Sequence, residues 1–126
     1  MADKRLDVLK SMKDHYDHLY VRIHYLFVAH GAGLVGGLTL LKDYAATPQY
    51  KGVGLPIALF SVGLIAAITA YITLSWAQMK AKNAVLDRAS LDPSMPVFYV
   101  HYIGLAISII AFVVALGIII WRVARL

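Results

Sequence analysis

IHYLFVAHGAGLVGGLTLL, residues 23–41, runs for 19 positions without a charge, and its reading decides the class of fold. A helix rising 1.5 Å per residue needs about 20 apolar residues to cross a hydrocarbon core about 30 Å thick, so this run is long enough to span. Two more uncharged runs follow, 28 positions over residues 52–79 and 29 over residues 93–121. Hydrophobic residues make up 60% of the 126-residue chain and charged residues 15%. A chain this short cannot wrap three all-round apolar helices in its own polar surface. The expectation is an all-α membrane protein with two parts. An amphipathic N-terminal helix covers residues 1–20, and a three-helix transmembrane domain covers 21–126, with spans at about 21–41, 55–78 and 97–121.

Upstream of the first run, MADKRLDVLKSMKDHYDHLY mixes both signs of charge before any apolar stretch begins, so it is read as a retained segment rather than a cleaved leader. Leu6, Leu9, Met12, Tyr16 and Leu19 recur at three- and four-residue spacing, with charged residues mostly on the other side. Such a helix either lies in the headgroup plane or runs straight into the first span, since neither Gly nor Pro interrupts residues 1–30. Downstream, KDYAATPQYKGVG (42–54) reads as an interfacial turn, and Pro56 suits a first helical turn. MKAKNAVLDRAS extends the second span as a helix, and the prolines of LDPSMP (91–96) stop it.

Charge sets the expected orientation. Eight Lys and Arg flank the N-terminal segment and the loop between the second and third spans, against four on the opposite side. This places the N-terminus in the cytoplasm and the C-terminus in the periplasm of a bacterial inner membrane. The net charge of +5 is then a matter of topology and anionic headgroups, not nucleic acid.

Within the spans, Ala29, His30, Gly33 and Gly37 fall on one helix face, and His101, Gly104, Ser108, Ala111 and Ala115 fall on another. Small residues at this spacing let helix backbones approach closely in lipid. The two faces are expected to pack, either against each other or across a subunit boundary. Two competing readings involve the histidines. His24 and His101 lie at similar depths and are the candidate axial ligands of a b-type haem, although each is followed by Tyr, as in an aromatic belt. Asp14, His15 and His18 have the helical spacing of metal ligands, or simply form a solvated face. No cofactor is the expectation, with haem b the alternative.

The sequence also excludes much. It has no Cys and no Glu, and its seven Asp all lie outside the spans, which argues against proton antiport through an intramembrane carboxylate. Neither Gly-x-Ser-x-Gly, HExxH nor the TVGYG filter occurs. The length and three spans are similar to the small bacterial diacylglycerol kinases, but a chain without Glu lacks that family's catalytic glutamates. HGAGLVGGLTLL and GLPIALFSVGLIAAI, with a third span after a basic loop, resemble small, uncharacterised multi-span bacterial inner-membrane proteins, a resemblance that implies no functional residues. The expected role is non-enzymatic. It is an accessory or structural subunit whose partners are the bilayer, itself or a larger membrane complex. The alternative is a homo-oligomeric pore or membrane-disrupting effector.

Overall fold

A computed structural model describes residues 2–44, 52–87 and 95–125. They form three helices, α1 (Ala2–Tyr44), α2 (Gly54–Asp87) and α3 (Val97–Val123). All three are long and apolar enough to cross a membrane. The turn residues 45–51 and the stop signal at 91–94 lie outside the described residues.

The first helix is continuous. Its 43 residues extend about 64 Å, twice the thickness of a hydrocarbon core. The charged segment therefore enters the first span without a break, rather than turning into the headgroup plane. α2 likewise continues past Trp76 to Asp87, as MKAKNAVLD implies.

What holds the helices together is one repeat. On α2, Pro56, Phe60, Gly63, Ala67, Ala70, Leu74, Ala77 and Ala81 are buried, alternating four- and three-residue steps without interruption. On α1, Tyr16, Leu19, Ile23 and His30 are buried at the same spacing, extended by the half-buried Met12, Leu26, Gly33 and Gly37. On α3, His101, Gly104, Ser108, Ala111 and Ala115 repeat it again. A 3.5-residue period keeps a seam facing its partner along a long helix, where an undistorted 3.6-residue helix would drift by about 20° per heptad. The seam explains why α1 and α2 stay in contact beyond the apolar runs: Tyr16 and Leu19 pack with Leu74 and Ala77 in one core cluster with Ile23, Ala70 and Leu105.

α2 is the common partner. Both small faces turn chiefly to it rather than to each other, because its own Gly63, Ala67 and Ala70 leave room on both sides. A Cβ on Gly104 would stand 2.9 Å from the Ala66 carbonyl oxygen, and one on Gly33 would stand 2.7 Å from ring carbons of Phe60. Among the described residues, α1 meets α3 locally, at His30 with Ser108 and Phe112 and at His15 with Tyr102.

Candidate functional site

Where the three seams converge, a histidine is fully enclosed. His30 has no exposed surface, and its ring occupies the slot that Gly63 leaves on α2. Phe60 and Phe112 meet the ring edge-on, with centroids 6.0 and 5.7 Å away. Its Nε2 lies 3.1 Å from the Ser108 carbonyl oxygen and 2.9 Å from Ser108 Oγ. A carbonyl can only accept, so Nε2 carries the proton and donates it across to α3. Nδ1 has no hydrogen-bond partner among the described residues. An ionisable ring placed in an apolar bundle is thus tied across it by one hydroxyl-bearing residue. The contact ties α1 to α3 through the groove of α2.

Beside this contact, α1 and α3 part and leave an apolar cleft of about 360 Å³. Ala29, Gly33, Gly36 and Gly37 form its α1 wall, and Phe60 and Phe112 lie at its inner end, against His30. Leu116 and Ile119 line the α3 side, and Arg122 stands at the other end. The Arg122 guanidinium packs over Gly52, whose φ of +97° suits a residue without a side chain.

The remaining histidines are dispersed. His101 is buried and stacks on Tyr102 with centroids 4.1 Å apart, and its Nδ1 is 3.4 Å from the Val97 carbonyl oxygen. His24 is exposed on α1, so it does not share the enclosed surroundings of His101. Asp14, His15 and His18 are all exposed, and His15 Nε2 lies 3.4 Å from Tyr102 Oη. Among the described residues, no three His, Asp or Glu side chains come together as a group able to hold a metal ion. All five small-face positions of α3 are buried, and on α1 His30 is buried while Ala29, Gly33 and Gly37 are half-buried. Comparison of the chain with protein-family models, curated proteins and solved structures gives no match.

Sequence reasoning found His30 but not the groove that receives it. Gly63 was within reach, since it heads the run Gly63, Ala67, Ala70 at the packing repeat. The cleft left no comparable signal, because it arises from how far α1 and α3 diverge.

The packing at Gly33 yields a direct test. Gly33→Leu is expected to displace Phe60 and destabilise the bundle by about 1–3 kcal/mol, as overpacking does. Leu34→Ala, at a half-buried position off the seam, should cost less. Unfolding of the purified protein in mild detergent measures both, and a larger loss for Leu34→Ala would show that the seam is misplaced.

Proposed function

We propose that this protein is a small integral membrane subunit of a larger assembly, non-catalytic, and packed through its small-residue helix faces. The observation that carries the reading is the one-sided packing of α1. Its span is the least buried of the three, with Val21, Tyr25, Val28 and Val35 exposed on the side away from α2. A helix held along one seam leaves the rest of its circumference for a neighbouring helix, and association in lipid proceeds through such close packing. The N-terminal segment serves as an amphipathic extension of the same helix. Tyr16 and Leu19 face inward while Lys4, Asp7, Lys10, Lys13, Asp14 and Asp17 face solvent, which suits contact with an extramembrane partner.

The proposed setting is a bacterial inner membrane with the N-terminus cytoplasmic, from the distribution of Lys and Arg. Thr69 and Thr73 return their hydroxyls to the Ile65 and Thr69 carbonyls of their own helix, which lends little polarity to any pore lining.

The test is native purification in mild detergent with identification of what accompanies the chain. Co-purifying large subunits support the reading, and a homo-oligomer alone replaces it with the pore. For orientation, a periplasm-active reporter should work when fused after Leu126 and fail when fused at Asp92. The reverse pattern overturns the cytoplasmic N-terminus.

A further inference from the structure

A second hollow lies beyond the apolar run of α1, between α1 and α2, and its rim is charged. Lys13, Tyr16 and Asp17 border it on α1, and Gln78 and Lys82 border it on α2, with Met12 as an apolar wall. The register of the two helices says how these groups face. Tyr20 meets Ser75, Gly33 lies against Phe60 and Gly37 against Ile57, so α1 and α2 run antiparallel. One turn outward from the Tyr20 and Ser75 contact stand Asp17 and Gln78, and two turns outward stand Lys13 and Lys82. The two lysines are therefore level across one hollow, and neither has an ion-pair partner among the described residues. Like charges so placed repel unless an anion comes between them.

Tyr16 points to a ligand independently. Only 8% of it is exposed, yet it lines this hollow, and its hydroxyl has no hydrogen-bond partner among the described residues. A buried hydroxyl left without a partner is costly. Burial, with Tyr102 and Tyr20 nearby, raises its pKa above the ordinary 10.0, so the phenol keeps its proton and can donate it. Gln78 accepts from Tyr20 at Oε1, which leaves its amide NH2 to donate as well.

Two ammoniums, a phenol and an amide thus border one space. That donor set suits the several acceptor oxygens of a phosphate better than the two of a carboxylate. Asp17 is the acceptor on the rim, which suits a ligand with a hydroxyl beside its phosphate. We propose that Lys13 and Lys82, with Tyr16 and Gln78, form a binding site for a phosphate ester that carries a free hydroxyl. An anionic glycerophospholipid headgroup and a soluble polyol phosphate share this chemistry. The site is independent of whether the chain is a subunit of a larger assembly.

Two probes with the same polar group separate the sources. The full chain, purified in mild detergent, is offered dioleoyl phosphatidylglycerol, counted by native mass spectrometry, or glycerol 3-phosphate, read from the broadening of its phosphorus resonance. Retention of the lipid alone supports a headgroup site, and binding of the soluble ester supports a site for a free phosphate. Lys13→Gln combined with Lys82→Gln should weaken the bound probe by about tenfold or more, and Tyr16→Phe, which keeps the ring, by about tenfold. Lys4→Gln combined with Lys10→Gln removes the same charge from exposed positions that do not line the hollow, and should change binding by less than about threefold. Equal weakening by the two double variants means diffuse attraction to a basic segment and overturns the site. Wild type that binds neither probe overturns it too, as does a Tyr16→Phe variant that binds as wild type does.

Discussion

Gly63→Val is expected to force α1 away from α2, because a side chain at this position overlaps the enclosed ring of His30. The ring has little freedom to yield. It is fully buried, flanked by Phe60 and Phe112, and held through Nε2 by Ser108. The cost should reach about 1–3 kcal/mol of bundle stability. It should also depend on the ring: in a His30→Ala background, where the slot is empty, the same substitution should cost much less. His30→Ala alone loses a hydrogen bond, which in a membrane averages about 0.6 kcal/mol, together with the packing of the imidazole. Unfolding midpoints of the four proteins complete the cycle. An equal cost of Gly63→Val in both backgrounds would mean that the ring is not what fills the slot.

Gly104→Leu should be more damaging still. The atoms a side chain would meet are backbone as well as side chain: the Ala66 carbonyl oxygen at 2.9 Å, the Ala70 amide nitrogen at 3.3 Å and the Ala70 Cβ at 3.1 Å. A phenylalanine can turn aside, but a helix backbone moves only as a unit. The loss is therefore expected at or above about 3 kcal/mol, the upper end for overpacking. Gly117→Leu is the matched control, since a Cβ there meets nothing within 4 Å and the change should stay within about 0.5 kcal/mol. Unfolding of the two variants in the same detergent separates them. Equal midpoints would refute the close approach of α2 and α3.

The architecture is legible in the sequence wherever charge or apolar length carries it. Uninterrupted apolar runs give the three helices, and the absence of Gly and Pro before residue 31 allows α1 to be continuous. Whether that helix bends at the membrane surface was not legible. The choice is made by Tyr16 and Leu19 finding Leu74 and Ala77 on another helix, a contact between residues more than 50 positions apart. The small faces at Gly33 and Gly104 were visible as patterns, but their partner was not. A helix apolar on all sides, like α2, hides its packing face from any reading based on polarity. The alternation of four- and three-residue steps from Pro56 to Ala81 is a signal of size rather than hydropathy, and it locates that face. His24 and His101 agree in depth, yet exposure separates them, because depth fixes position along a helix and says nothing of rotation about it.

The seam between α1 and α2 runs without a break from Met12 to Gly37, through a stretch bearing charges and on into one bearing none. Its two halves are therefore held by different forces. Where the helices stand in water, joining Tyr16 and Leu19 to Ala77 releases apolar surface from solvent, a drive that fades on cooling. Where they stand in lipid, no such drive exists, and close fit between small residues holds them instead. A single geometric repeat thus joins a half that relies on the hydrophobic drive to one that does not. Cooling is therefore expected to part this pair of helices from the charged end inward, as a zip opens from one end.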